Sequence, residues 1–242
     1  MSAPGPEVRG SGGPEVMASA TGFVEPFPHL VAPNPGGPDG PLGESVLDPD
    51  QPWLRVFEPR DVRLVLGRNQ DPHRELIVAQ AQADDVPIHR RVAGGGAVVL
   101  APGMVVVAVR LASNGYGTDC YFDLVNRALR PAVKECAGIE PMCRGHGDLT
   151  LPCGDGHPRK ILGASLRQTS RMAVYLGVLM VADAVPLMER FLQAPSRQPD
   201  YRQDRGHRAF CTHVGAHGVQ VGTLIDAVLK SCQLMLGPHA RV

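Results

Sequence analysis

Apolar residues along the chain form two kinds of pattern, short dense runs and longer stretches with helical spacing. The short runs are rich in Val, Ile and Leu and are bounded by Gly, Pro or charged residues, which is typical of β-strands. They predict strands within residues 53–59, 62–68, 86–92, 148–151, 159–169 and 172–182. Residues 96–111 predict a β-hairpin with its turn at Pro102–Gly103.

Stretches with helical periodicity lie between these strands. A helix is predicted over His73–Asp85, with Asp71 as N-cap and Pro72 at the first helical position. Further helices are predicted over residues 119–138, 185–193 and 218–235. Because the later strands follow one another as a meander and helices separate the strand groups, the expected fold class is α+β. We expect a mixed, mostly antiparallel sheet with flanking helices.

The first 52 residues differ in composition from the rest. They contain 11 Pro and 9 Gly, together 20 of 52, which exceeds the ~25–30% typical of low-complexity segments. Few large apolar residues are available there to offset the entropy of ordering the chain. We therefore predict a disordered or extended arm over residues 1–52 and one folded domain over residues 53–242. The apolar patch Phe23–Val31 is interpreted as a linker grazing the domain, with a partner-docking motif as the alternative.

Charge and hydropathy argue against several classes of function. Lys plus Arg and Asp plus Glu both total 24, so there is no bulk positive field for nucleic acid or an anionic membrane. No apolar stretch is long enough to span a bilayer, and no N-terminal segment resembles a signal peptide. The six cysteines lack CxxC spacing. We expect a cytoplasmic protein with reduced thiols.

The stretch RRVAGGGAVV, Arg90–Val99, sets two cations beside three glycines. Glycines adopt positive φ readily, and without Cβ atoms their amides can face a ligand closely. Arginine can add a bidentate contact to phosphate. Taken alone, these residues leave two interpretations open, an anion-binding loop or a turn with solvated arginines.

A second candidate lies between residues 145 and 169. Asp148 opens a strand, a polar loop follows, and Lys160 then enters the small, apolar run Ile161–Ser165. Such a lysine either directs its ammonium into a cleft or, as lone lysines more commonly do, reaches from the strand end to solvent.

Four motifs, in order, resemble those of the lipoate–protein ligase A family, part of the superfamily of lipoate and biotin ligases and octanoyltransferases. They are LVLGRNQ, IHRRVAGGGAVV, GDLTL and RKILGAS. The resemblance covers residues 53–214, and the triple-glycine loop together with the lysine strand is its most specific part. It implies a lipoate ligase-like catalytic domain over residues 53–242 without the C-terminal accessory domain of full-length ligases.

The resemblance implies that a lipoyl or octanoyl group is attached to a lysine of a carrier protein through an acyl-adenylate. The implied cofactors are ATP and Mg²⁺, and the implied carrier is a lipoyl domain of E2 type or a glycine-cleavage H-type protein. The family's essential lysine falls on Lys160, and its Asn-Asp motif retains Asp148, which would hold Mg²⁺ or position the lysine. The residues implied to contact substrate or adenylate are Arg68, Arg90, Arg91, Gly94, Gly95, Gly96, Ala97, Gly163 and Ala164.

Departures from the family pattern leave other functions open. The usual Ser or Thr before the glycines is Ala93, which removes a hydroxyl donor, and only about a helix follows Val221. Three routes stay open: a separate accessory subunit supports activation by ATP, the protein accepts preformed acyl-adenylate, or it transfers acyl groups directly. The alternatives are an octanoyltransferase that uses acyl-carrier protein and a degenerate, non-catalytic ligase-fold binding protein. Cys211 does not match the position of the transferases' acyl-accepting cysteine, and we expect it to be a small buried residue.

A third interpretation concerns metal binding. Cys143, His146, Cys153 and His157 have the residue types of a structural zinc site, but their spacing is irregular. We expect these residues to belong to turns and expect no zinc.

Overall fold

The computed structural model describes residues 25–32, 40–115 and 117–240. Nine strands form two sheets within these residues. They are β1 Leu54–Phe57, β2 Arg63–Leu66, β3 Ile88–Arg90, β4 Val98–Leu100, β5 Met104–Ala112, β6 Met142–Arg144, β7 Asp148–Leu151, β8 Arg159–Gln168 and β9 Met172–Met180. The larger sheet has the order β1-β5-β9-β8-β7-β6 and is antiparallel throughout. The predicted α+β class with mostly antiparallel strands is confirmed.

Strand β5, next to the edge strand β1, buries side chains on both faces, because the sheet is covered on both sides. Alternate side chains of a strand point to opposite faces. Val105 and Val107 accordingly enter one hydrophobic core, and Val106 and Ala108 enter the other. This double burial explains why Met104–Leu111 is a continuous buried run rather than an alternating pattern.

Two long helices cover one face of the large sheet. They are α3 Thr118–Ala137 and α6 Val221–Leu236, near the positions predicted for helices. Buried side chains of both helices share a core with β5 and β9. α3 continues through Pro131 and ends at Gly138, whose φ of 69° gives the left-handed C-cap that favours glycine.

The predicted hairpin over residues 96–111 is wrong. β4 pairs with β2, in the small sheet of order β3-β2-β4, whereas β5 pairs with β1 and β9. The turn before β5 therefore carries the chain from one sheet to the other. Gly103 has a φ of 84°, and a Cβ there would lie 2.4 Å from the Cβ of Ala182. The turn chemistry was correctly identified, but the partners of the flanking strands depend on the tertiary fold.

The predicted helix over His73–Asp85 is interrupted. Asp71 caps α1 Pro72–Glu75 by accepting a hydrogen bond from the His73 amide, as predicted. The chain then extends, because Leu76 forms a β-bridge with Leu192. α2 Val78–Ala83 follows this break, and the remaining helices are α4 Val185–Phe191 and α5 His207–Phe210. No helix in the described ranges is long and apolar enough to cross a membrane.

Residues 40–52 belong to the packed fold, although the predicted domain begins at residue 53. Leu42 and Val46 are 1% and 0% exposed and lie in a hydrophobic core. Arg110 on β5 donates hydrogen bonds to the carbonyls of Val46, Asp48, Pro49 and Gln51. These apolar and polar contacts attach the segment to the large sheet.

Residues 25–32 also contact the domain, on the outer edge of the small sheet. Val31 is buried and forms a parallel β-bridge with Ile88, and the Ala32 amide donates to the Ile88 carbonyl. The patch around Val31 therefore packs on the domain, in line with the interpretation as a segment that lies against its surface. The predicted arm over residues 1–24 and 33–39 lies outside the described residues.

Candidate functional site

One large cavity lies where the two sheets and the segment after α4 meet. It has a volume of about 1120 Å³ and is lined by residues of β4, β5, β7, β8 and β9, by the glycine loop, and by residues 192–202. Most of the predicted site residues border it: Gly94, Gly95, Gly96, Ala97, Asp148, Lys160, Gly163 and Ala164. Arg68, Arg90 and Arg91 do not line it.

Arg91 supports the glycine loop from behind. Its side chain is buried and donates to the carbonyls of Gly94 and Gly96, at 2.6–3.0 Å and 2.8 Å, and to that of Val65. Burial lowers the pKa of Arg91 to about 10, so the guanidinium remains charged at neutral pH. Backbone carbonyls bind these donors of Arg91, and its contact with a ligand phosphate stays a prediction.

Arg90 holds residues 67–70, which form the platform on which the same loop rests. It donates to the carbonyls of Gly67 and Gln70 at 2.9 Å and 2.7 Å, and it forms an ion pair with Glu25 at 2.6 Å. A Cβ on Gly67 would lie 2.1 Å from the Gly95 carbonyl oxygen, so a glycine is required where the loop rests on the platform. Arg90 thus shapes the loop indirectly, and its contact with a ligand stays a prediction as well.

Holding the loop by its carbonyls leaves its amides available. Gly95 has a φ of 90°, and Gly94, Gly95 and Gly96 are all exposed. Within the described part of the chain, their three amide groups donate no hydrogen bond. Consecutive unpaired amides beside a cavity can bind an anion. The predicted anion-binding loop is consistent with this geometry.

Lys160 and Asp148 form an ion pair in the cavity wall. Lys160 Nζ lies 2.8 Å from Asp148 Oδ1, and the second carboxylate oxygen accepts a 2.7 Å hydrogen bond from the Tyr201 hydroxyl. Of the two roles that the sequence left open for Asp148, these contacts favour positioning the lysine. Among the described residues, no group of three His, Cys, Asp or Glu side chains could hold a metal ion.

Gly163 makes room for the Lys160 ammonium. A Cβ at this position would lie 2.6 Å from Lys160 Nζ and 2.7 Å from its Cε atom. Any side chain on Gly163 would displace the amine from its place beside Asp148. The glycine that the motif places three residues after the lysine is therefore explained by a close approach between the two.

An apolar wall continues from the lysine strand across the sheet. Gly163 pairs with Val178 on β9, and Met180 on β9 pairs with Met104 on β5. Val178, Met180 and Met104 line the cavity together with the charged residues. The cavity therefore offers a hydrophobic surface next to an ammonium and a row of amides, which suits an amphipathic anion.

Cys211 lies in the cavity wall next to Lys160. The two residues form a parallel β-bridge, and Cys211 is 8% exposed. Burial raises the pKa of the Cys211 thiol, although the Lys160 ammonium opposes this effect. His213 directs Nδ1 to the Val181 carbonyl instead of to the sulfur. The cysteine was predicted to be buried, and its place beside the lysine was not predicted.

Sequence reasoning missed Tyr201. It lies 53 residues from Asp148 in a Pro- and Arg-rich segment without strand or helix periodicity. No spacing rule links a residue of such a segment to a strand end, so the sequence held no signal for the contact.

Comparison with known proteins identifies a family. Residues 42–233 match the model of the lipoyl protein ligase A/B catalytic domain. A lipoate-protein ligase A of Bdellovibrio bacteriovorus is 25% identical over 201 residues, which cover 81% of this chain. The chain spans 56% of the length of that relative.

Two solved structures share the fold. One comes from a structural analysis of an archaeal lipoylation system, a bi-partite lipoate protein ligase and its E2 lipoyl domain from Thermoplasma acidophilum. It has a TM-score of 0.66 and 19% identity, and the match covers 76% of this chain and 71% of that one. The other is a lipoate-protein ligase A bound with ATP, with a TM-score of 0.63, 18% identity, and coverage of 76% and 72%.

Proposed function

Because the chain belongs to the lipoyl protein ligase A/B catalytic domain family, we propose that it attaches a lipoyl or octanoyl group to a carrier lysine through an acyl-adenylate. The observation that carries this proposal is one cavity in which the Lys160 ammonium and the amides of Gly94–Gly96 are joined to an apolar wall. An acyl-adenylate has matching parts, an anionic phosphate, a polarised carbonyl and an apolar chain.

The chemistry has two steps. The acid's carboxylate attacks the α-phosphorus of ATP, forming a C–O–P linkage and releasing pyrophosphate. The carrier lysine amine then attacks the acyl carbonyl, forming an amide and releasing AMP and a proton. Negative charge builds on oxygens between carbonyl and phosphorus in both steps, and fixed donors at Lys160 and the loop would stabilise it.

ATP use is supported by a structural neighbour that was solved with ATP bound. Mg²⁺ would arrive with the ATP phosphates, as is usual for this ion. Both oxygens of Asp148 are already engaged by Lys160 and Tyr201. In the proposed reaction Asp148 therefore holds Lys160, and the ATP phosphates would hold Mg²⁺.

The acyl acceptor proposed is a lipoyl carrier domain of E2 type or a glycine-cleavage H-type protein. One structural neighbour was analysed together with its E2 lipoyl domain and is described as bi-partite. A separate accessory subunit is accordingly a second proposed partner.

Three parallel reactions test the proposal. The protein is incubated with apo carrier domain and either lipoic acid with ATP-Mg, preformed lipoyl-AMP, or octanoyl-acyl-carrier protein, and the carrier mass is measured. Product from lipoyl-AMP that is lost in Lys160→Met and kept in Lys230→Met supports the proposal, because Lys230 is an exposed residue of α6. Product from lipoyl-AMP but not from ATP would indicate a missing accessory subunit. No product from any donor would support a non-catalytic binding protein.

Direct octanoyl transfer is the second candidate, because Cys211 lies in the cavity beside Lys160. That route forms a thioester on the cysteine, which requires the thiolate. Burial raises the pKa of Cys211 and so disfavours that form. We therefore expect Cys211→Ser to retain most transfer activity. An octanoyl thioester trapped on Cys211 and detected by mass spectrometry would reverse this order of preference.

A further inference from the structure

A tyrosine from the segment between α4 and α5 reaches the ion pair in the cavity. Tyr201 lies on a single helical turn, Asp200–Arg202, and its hydroxyl donates to Asp148 Oδ2 at 2.7 Å. Asp148 Oδ1 lies 2.8 Å from Lys160 Nζ. One carboxylate therefore connects Tyr201 with the ammonium, across three separate parts of the chain.

The Tyr201 hydroxyl remains a hydrogen-bond donor at neutral pH. Burial raises the pKa of Tyr201, and the adjacent Asp148 carboxylate raises it further. The hydroxyl therefore stays neutral and donates to the carboxylate. Its contribution is to hold the carboxylate in one place.

The rest of Tyr201 is held without the hydroxyl. Its ring packs 5.1 Å from the ring of Phe210, measured between centroids, and its carbonyl accepts a 2.8 Å hydrogen bond from Arg205. Arg205 also donates to the carbonyls of Pro158 and Ala209. These bonds attach the segment to the start of β8 and to α5. Removing only the hydroxyl should therefore leave the segment in place.

Lys160 needs a restraint, because its side chain ends beside open space. It is 26% exposed and passes over Gly163, which has no side chain to hold it. We propose that Tyr201 is a positioning residue that fixes Asp148 through one oxygen and thereby holds the Lys160 ammonium in place for acyl transfer. The kinetic consequence rests on the function proposed above, whereas the tether itself is a property of the fold.

Tyr201→Phe in the full chain tests the kinetic consequence. With preformed lipoyl-AMP and apo carrier, we expect kcat to fall about 10- to 100-fold, because small misplacements of a reacting group are costly. We expect KM for lipoyl-AMP to change by less than about threefold, since binding contacts are retained. Tyr121→Phe is the matched control, because the Tyr121 hydroxyl bonds Asn114 at 2.6 Å away from the cavity. A kcat equal to the wild-type value, or one lowered equally in both variants, would overturn the positioning role.

Competitive acetylation tests the tether without any enzyme assay. The chain has three lysines, Lys134, Lys160 and Lys230, and mass spectrometry can follow each during a short pulse of acetic anhydride. Relative to the exposed Lys230, Lys160 should acetylate several-fold faster in Tyr201→Phe than in wild type, and at the wild-type rate in Tyr121→Phe. An unchanged Lys160 rate in Tyr201→Phe would exclude the tether. Faster labelling in a protein that transfers no acyl group would retain the tether and reject the proposed function.

Discussion

At the scale of single residues, glycines shape the site as much as charged side chains do. Gly67 admits the Gly95 carbonyl, and Gly163 admits the Lys160 ammonium, each at a distance that a Cβ would not allow. The charged groups are then fixed against backbone, as Arg91 is against the carbonyls of Gly94 and Gly96. Such sites tolerate little substitution even where no ligand touches the residue.

Gly163→Ala should separate catalysis from folding. The added methyl would meet the far end of the flexible Lys160 side chain, 2.6 Å from Nζ, so the lysine can move aside and the fold should persist. We expect transfer from lipoyl-AMP to fall by about tenfold or more, because the ammonium leaves its position.

Gly222→Ala is the control for this change, since a Cβ there meets open space on α6. The free energy of unfolding from urea titration and the transfer rate should be measured for both variants. Full activity in Gly163→Ala would show that the position of the ammonium does not matter for transfer.

At the scale of elements, the N-terminal segment (residues 25–32) contacts the platform of the glycine loop through Arg90. Glu25 forms a bidentate ion pair with Arg90, and Arg90 in turn bonds the Gly67 and Gln70 carbonyls beneath the loop. The arginines of the RR pair therefore act through the backbone. The sequence predicted that these arginines contact a ligand, whereas in the structure they bond backbone carbonyls around the loop.

Glu25→Gln should destabilise the protein by about 1–2 kcal/mol, because it weakens charge-assisted hydrogen bonds to a buried guanidinium. Chemical denaturation measures this loss. Glu189→Gln serves as the control, since the Glu189–Arg208 pair is exposed and should contribute less than about 0.5 kcal/mol. Equal effects of the two substitutions would mean that the N-terminal segment does not support the platform.

A chain that begins at residue 53 should lose about 3–6 kcal/mol of stability, from the burial of Leu42 and Val46 alone. Arg110 would also lose its four carbonyl partners in residues 46–51. A chain that begins at residue 25 should melt like the full chain. Thermal melts of the three chains decide between this expectation and a domain that begins at residue 53.

At the scale of the whole molecule, the small and large sheets meet around residues 40–52, and this junction holds the carboxyl group of Glu44 away from water. Glu44 Oε2 accepts from the Leu42 amide at 2.9 Å, whereas Oε1 is buried without a hydrogen-bond partner in the described ranges. Burial raises the pKa of Glu44 from its ordinary value of 4.5. The folded state therefore binds this proton more tightly than the unfolded state does.

It follows that the contribution of Glu44 to stability is greatest below pH 4.5 and declines as pH rises through the raised pKa. Glu44→Gln should remove this decline, so its free energy of unfolding relative to wild type should rise from acid to neutral pH. Urea titrations at several pH values measure the difference. Glu135→Gln, at an exposed position of α3, should follow the wild-type curve. A constant difference between Glu44→Gln and wild type would contradict the raised pKa.

Much of the fold and part of the site could be predicted from local pattern. The strands of the meander, the two long helices, the Asp71 cap and the Gly103 turn depend on periodicity or backbone conformation, which neighbouring residues determine. The glycine loop and Lys160 were predicted as site residues because their motifs occur in the family's order along the chain. In contrast, the partners of β4, the break at Leu76 and the place of Leu42 in the core depend on contacts between distant residues.

The sequence by itself determined the α+β class and the family, and it predicted the essential lysine, because each depends on short stretches of residues. Only the tertiary structure decided what the side chains do. It placed Arg90 and Arg91 behind the loop, paired Asp148 with Lys160, and brought Tyr201 to the same carboxylate. The distances and relative orientations of residues far apart in the chain depend on how the sheets pack. A local sequence pattern does not specify that packing.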